Sequence, residues 1–159
     1  KVLEYPNLVI FQTLSKAWGL AGLRLGLAFS SSYIIRLMSE VKYPYNINQA
    51  ALDEVSKALD TPVYARISEI IAERSVVAEK LEKFKCVKRI YPSDANFLLV
   101  KTDDADALYN HLLGDGIIVR NRSRVNGCQG CLRITIGLPS ENKKMIKSFS
   151  RYEKGNICR

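Results

Sequence analysis

Between residues 86 and 152 the hydrophobic pattern switches repeatedly between strand and helix periods, and this alternation restricts the chain to folds in which helices pack on a short sheet. Val87 to Tyr91 and Ala95 to Val100 have strand composition, Asp104 to Leu113 has helical spacing, and Ile117 to Val119 and Leu132 to Ile136 return to strands. A closing helix over Glu141 to Tyr152 puts Met145, Ile146 and Phe149 on one face. Upstream, Ile67, Ile70, Ile71, Val77 and Leu81 recur at helical spacing among Arg, Glu and Lys, which predicts one amphipathic helix over Val63 to Phe84. Gln49 to Leu59 is also helical, with Pro62 placed where a first helical turn accepts a proline. The class expected is α/β.

The first forty-odd residues differ. Leu8-Val9-Ile10-Phe11 reads as a buried strand that runs into a polar, glycine-rich loop, Leu23 to Ser30 as a second strand, and Tyr33 to Val41 as a helix ended before Pro44. A boundary in the linker at 43–48 predicts two parts: residues 1–45, a two-strand remnant of a larger domain, and residues 46–159, a small domain of helices on a sheet. The opening on Lys1-Val2-Leu3-Glu4-Tyr5-Pro6, without Met, leads us to expect a piece of a longer protein.

Twenty-four Lys and Arg against sixteen Asp and Glu give a net charge of +8. Such a balance fits nucleic acid, an anionic membrane surface or a phosphorylated small molecule. The basic residues are spread out, with clusters only at Arg120-Asn121-Arg122-Ser123-Arg124 and Lys143-Lys144, which read as a solvated basic face. Charges break every apolar run well short of the ~18 residues of a membrane span, so a soluble chain is expected. The four cysteines, Cys86, Cys128, Cys131 and Cys158, are too few and too unevenly spaced for a disulfide-stapled scaffold, and a reducing cytoplasm fits them.

The chemistry concentrates in Thr13-Leu14-Ser15-Lys16-Ala17-Trp18-Gly19-Leu20-Ala21-Gly22-Leu23-Arg24-Leu25-Gly26. Small residues at 17, 19, 21 and 22 let the backbone approach a bulky ligand. Two hydroxyls flank Lys16, and Arg24 offers a planar fork of donors suited to phosphate. A lysine amine condenses with a carbonyl to give a Schiff base, and a carbonyl cofactor that also carries a phosphate needs an anion anchor beside that amine.

This segment resembles the lysine segment of fold-type I pyridoxal-phosphate (PLP) enzymes, in particular the branch that contains histidinol-phosphate aminotransferases. The resemblance implies that Lys16 carries PLP as a Schiff base and later moves the substrate α-proton, while Thr13, Ser15 and Arg24 hold the PLP phosphate. Ser93-Asp94-Ala95-Asn96-Phe97, Gly116-Ile117-Ile118-Val119-Arg120 and Gly127-Cys128-Gln129-Gly130-Cys131-Leu132-Arg133-Ile134-Thr135-Ile136-Gly137 resemble the branch's small-domain signatures in order and approximate spacing. Arg133 falls on a strand, where an inward guanidinium is costly unless an anion pairs with it. By resemblance it binds a substrate carboxylate or phosphate, Arg120 lies near the substrate phosphate, and Asn96 touches substrate or supports the backbone beside it.

The resemblance further implies the end of a PLP-binding large domain joined to an α+β small C-terminal domain. It implies amino transfer between glutamate or 2-oxoglutarate and a phosphorylated amino or oxo substrate of histidine biosynthesis, in a homodimer. Aromatic amino acid aminotransferases and threonine-phosphate decarboxylases carry similar segments. A piece lacking the N-terminal half could also be a folded but non-catalytic fragment, and a basic nucleic-acid-binding module is a third class, disfavoured because the aromatics are dispersed. Cys128 and Cys131 form a C-x-x-C pair with no second pair and no nearby histidine, so no metal site is expected. His111 reads as a surface or partly packed residue, Trp18 as packing near the cofactor phosphate, and Tyr43 and Tyr45 as interdomain packing or the mouth of a site.

Overall fold

The computed structural model describes residues 1–44, 47–60 and 62–157. The chain divides into two compact units, Lys1–Ala65 and Arg66–Arg159. This division by contacts falls after the sequence boundary at 45 and 46, and Tyr45 and Asn46 lie outside the described residues. The division falls later because the helix Gln49–Leu59 groups by its contacts with the first unit.

In the first unit, strands β1 (Ile10–Thr13) and β2 (Gly26–Phe29) pair antiparallel, with Ile10 opposite Phe29 and Thr13 opposite Gly26. Helices α1 (Ser32–Val41) and α2 (Gln49–Leu59) follow. The hydroxyls of Ser30 and Ser31 donate to the carbonyls of Leu8 and Pro6, at 2.7 and 3.1 Å, and tie the entry of α1 to the segment before β1. The Asn48 side chain caps α2 by accepting from the Ala51 amide at 2.8 Å. Among the described residues of this unit only Leu14, Ala51 and Val55 are buried hydrophobics, while Phe11 is 74% exposed. A two-stranded ribbon with its apolar side chains in water is marginal alone.

The second unit carries a true core. Helix α3 (Tyr64–Leu81) leads into β3 (Val87–Tyr91), β4 (Phe97–Thr102), α4 (Ala105–Gly114), β5 (Arg120–Asn121), β6 (Cys131–Thr135) and α5 (Pro139–Ile157). The sheet is antiparallel in the order β3-β4-β6-β5. Leu98, Val100, Leu132 and Ile134 point to one face and pack with Val77 and Leu81 of α3, Leu108 and Leu112 of α4, and Met145 and Phe149 of α5. This is the α+β arrangement expected for the small domain.

One expected strand is corrected. Ile117 to Val119 is irregular, and the short strand is Arg120–Asn121. The Ile117 amide is taken by the Leu112 carbonyl at 2.8 Å, closing the end of α4 through Gly116 at φ 71°, so the chain reaches the β6 ladder only at Arg120.

Helices α4 and α5 are pinned by Asp115, whose carboxylate accepts from Ser148 Oγ and from Arg151 Nη2. The Ser148 hydroxyl, followed by the Arg151 guanidinium, holds this carboxyl below its ordinary value. A depressed folded pKa contributes stability that is present above the unfolded value near ~3.9 and is lost as pH falls through the folded one. Asp115→Asn should therefore lower the melting temperature at neutral pH and converge on the parent chain in strong acid, as checked by circular dichroism melts across pH.

Candidate functional site

The connection from β1 to β2, residues 14–25, carries Lys16. Leu14 is fully buried and anchors the loop, with the Leu20 amide returning to its carbonyl at 3.1 Å. The Gly19 amide donates to the Lys16 carbonyl at 3.0 Å, which closes a turn around the lysine, and Gly19 adopts φ 71° there. Lys16 itself is exposed. Thr13 Oγ1 accepts from the Ser15 amide at 3.1 Å, so its own O–H remains free to donate.

A single 3-10 turn at Ala21–Leu23 ends on Arg24, whose φ of 56° is the one left-handed non-glycine conformation among the described residues. Such a conformation costs on the order of 1 kcal/mol and concentrates where function requires it. Arg24 Nη1 turns back onto the Ala21 carbonyl at 3.1 Å, and no carboxylate pairs with it among the described residues. Two hydroxyls and an unpaired guanidinium, in a segment that holds no acidic residue, form a donor set suited to a phosphate beside an accessible amine.

The second unit places Arg133 and Arg120 directly opposite each other on β6 and β5. Their side chains share the sheet face turned away from the helices, at a spacing where like charges repel. Arg133 is half-buried, its Nε is buried with no hydrogen-bond partner among the described residues, and its guanidinium lies 5.1 Å from the centre of the Phe97 ring. Leaving a cation's donor buried and unsatisfied next to a second cation costs free energy, which an anion bound between them would offset.

Asn96 stands at the start of β4, where its backbone carbonyl accepts from Ile136 at 2.9 Å and extends the β4–β6 ladder. Its side chain is exposed, so the observed contribution is to the backbone. That turn is further held by Ser93 Oγ donating to the Phe97 carbonyl at 2.6 Å and by Arg74 Nη1 donating to the Ala95 carbonyl at 2.7 Å. Arg74 lies on α3, and nothing in its local sequence marks this long-range contact.

A cavity of about 660 Å³ opens beside Arg120, lined by Arg122, Ser123, Arg124 and Tyr109 and by one carboxylate, Asp106, which accepts from the Asn121 side-chain amide. Ser123 Oγ is buried without a partner, and none of the three arginines pairs with a carboxylate among the described residues. Residues 120–124, read from sequence as a solvated face, thus line an anion-friendly recess; the sign was their charge, and what sequence could not supply was the cavity. His111 is partly packed, with Nε2 3.1 Å from the Ser148 carbonyl. Among the described residues no group of three or more His, Cys, Asp or Glu side chains could hold a metal ion, and no helix is long and apolar enough to cross a membrane.

Residues 1–149 match the family model for aminotransferase class I and II. The chain belongs to the class I and II aminotransferase family. Within the family, it is 48% identical over 147 residues to a histidinol-phosphate aminotransferase of Parabacteroides distasonis, covering 91% of this chain and 43% of that protein. A decarboxylase from Sulfurospirillum multivorans superposes with a TM-score of 0.79 at 31% identity over 94% of this chain and 44% of that one. The histidinol-phosphate aminotransferase of Sinorhizobium meliloti, solved with pyridoxal-5'-phosphate, shares the fold at a TM-score of 0.64 and 22% identity, over 94% of this chain and 42% of that one. The chain spans less than half the length of the curated relatives it matches, and the family uses PLP.

The unpaired state of Arg133 makes a stability test. Arg133→Met should raise the stability of the chain by about 1 kcal/mol by removing an unsatisfied charge. Inorganic phosphate should raise the melting temperature of the parent more than that of the variant. Calorimetry in phosphate and in an uncharged buffer reads both.

Proposed function

We propose that this chain is the C-terminal part of a PLP-dependent histidinol-phosphate:2-oxoglutarate aminotransferase. The observation that carries the reading is the opposed pair Arg120 and Arg133, with a buried Nε lacking a partner, in a chain 48% identical to a histidinol-phosphate aminotransferase. Both substrate sets of that reaction bring the anions such a pair requires: carboxylates from glutamate and 2-oxoglutarate, and a phosphate on the imidazole substrate.

When bound, PLP supplies an electron sink that carries the amino group from one substrate to the other. Thr13, Ser15 and Arg24 would hold its phosphate, and Lys16 Nζ would condense with its carbonyl carbon and move the proton at the substrate α-carbon. Arg133 receives the substrate carboxylate or phosphate. Arg120, with Arg122 and Ser123 at the recess beside it, receives the phosphate end. Asn96 keeps the β4 end of this face in register.

The parent enzyme is proposed to be a cytoplasmic homodimer, with residues 1–45 completing a PLP-binding large domain and 46–159 forming the small domain. The donor set held here lacks a partner for the pyridine nitrogen, so turnover belongs to the full-length protein. Aromatic amino acid transfer and decarboxylation of a phosphorylated amino acid are the sister reactions. The 31% identical decarboxylase supports decarboxylation as a sister reaction, with no substrate named for it.

One observation favours a reading of another class. Tyr91 of β3 and Phe97 of the adjacent β4 share the open sheet face with Arg89, Lys101, Arg120 and Arg133, and the Arg89 guanidinium lies 4.7 Å from the Tyr91 ring centre. Bases stack on such faces in nucleic-acid-binding sheets. Binding of single-stranded RNA that weakens steeply with salt would support that reading.

The deciding experiment reduces the PLP-treated full-length enzyme with borohydride and maps the pyridoxyl group by mass spectrometry. A label on Lys16 that disappears in Lys16→Ala, with a fall in turnover of roughly 100- to 10,000-fold, is expected. Labels scattered over many lysines and unchanged in the variant would overturn the assignment. Formation of glutamate from 2-oxoglutarate and histidinol phosphate, against release of carbon dioxide, separates the transferase from the decarboxylase.

A further inference from the structure

The turn that feeds β6 holds two cysteines at its ends. The Cys131 amide donates to the Cys128 carbonyl at 3.0 Å, while Gly127 and Gly130 take φ 78° and 72°. Residues at the two ends of such a four-residue turn have Cα atoms within about 7 Å, and a disulfide spans roughly 4.4–6.8 Å. Cys131 Sγ lies 3.8 Å from the Gln129 carbonyl, so the sulfur is folded back into the loop that carries Cys128. Burial first, and the neighbouring Cys128 second, push the Cys131 thiol above its ordinary value.

The turn is clamped rather than free. The Thr102 amide donates to the Gly130 carbonyl at 2.8 Å, and a Cβ on Gly130 would come within 3.3 Å of the Thr102 carbonyl oxygen. Access is asymmetric: Cys128 is half-buried and Cys131 is 1% exposed. Cys86, the other free cysteine among the described residues, is buried in the helix-facing core.

We propose that Cys128 and Cys131 form a redox-active dithiol that closes to an intramolecular disulfide by exchange with a small-molecule disulfide such as oxidised glutathione. The Cys128 thiolate attacks one sulfur of the oxidant, forming a mixed disulfide and releasing one molecule of thiol. Cys131 then loses its proton and attacks the Cys128 sulfur, forming the internal disulfide and releasing the second thiol. Two protein thiols are oxidised and one disulfide is reduced to two thiols. Cys131 lies two residues before Arg133 on the same sheet face, so the bond would form at the root of the anion-binding strand. This inference is independent of the substrate assigned above.

The test equilibrates the 159-residue chain in glutathione buffers of graded ratio, quenches with an alkylating agent after acid denaturation, and maps the peptides by mass spectrometry. The expected result is one transition in which the Cys128–Cys131 peptide loses two hydrogens together. The ratio of oxidised to reduced protein should change about tenfold for each tenfold change in [GSH]²/[GSSG]. Cys131→Ser should accumulate one glutathione on Cys128, whereas Cys128→Ser should leave Cys131 unmodified. Absence of the internal disulfide at every ratio, or its formation between other cysteines, would overturn the proposal. So would a Cys131→Ser chain that takes up no glutathione at Cys128.

Discussion

Strand β6 must satisfy two opposite demands within five residues. Leu132 and Ile134 sit in the driest part of the second unit, while Arg133 between them turns a cation to the other face with one donor buried and unpaired. A strand can do this because its side chains alternate, and the register of β6 against β4 is fixed by what the apolar side buries. A slip of one residue would put the guanidinium among Phe149, Leu108 and Leu98. Core packing thus fixes the direction in which Arg133 points, and the opposed Arg120 inherits its position from the same ladder.

The cost of the arrangement is met by the rest of the small unit. α3, α4 and α5 cover the helix-facing side of the sheet, Asp115 bonds α4 to α5, and Arg74 reaches from α3 to hold the turn before β4. These contacts make no use of a ligand. They leave one sheet face free to hold charges that would otherwise be destabilising, as in many sites where strain and unpaired donors are carried by a stable scaffold. The first unit has no comparable reserve: its left-handed Arg24 and exposed Lys16 stand on a ribbon whose apolar side chains remain in water.

Much of this was legible in the residues. Gln49–Leu59 and Val87–Tyr91 are predicted with their observed ends, because period and composition agree there and caps or turns mark both boundaries. The strand expected at Ile117–Val119 was misplaced because apolar composition marks burial and not pairing; Val119 is buried without belonging to the ladder. The pairing of Arg120 with Arg133 and the recess around Ser123 depend on long-range register, which local pattern does not encode.

The two groups of candidate residues, one in each unit, differ in how sequence encodes them. The lysine segment is local: hydroxyls, amine and guanidinium fall within twelve residues, so their chemistry can be read without a fold. The arginine face is topological, since each arginine taken singly in a basic chain is unremarkable. Its meaning comes from the register that sets the two cations opposite each other and from an Arg133 donor that has no partner among the described residues. Buried donors left without a partner are rare in folded chains, and one on a cation facing away from the core is the kind of group that an outside anion completes.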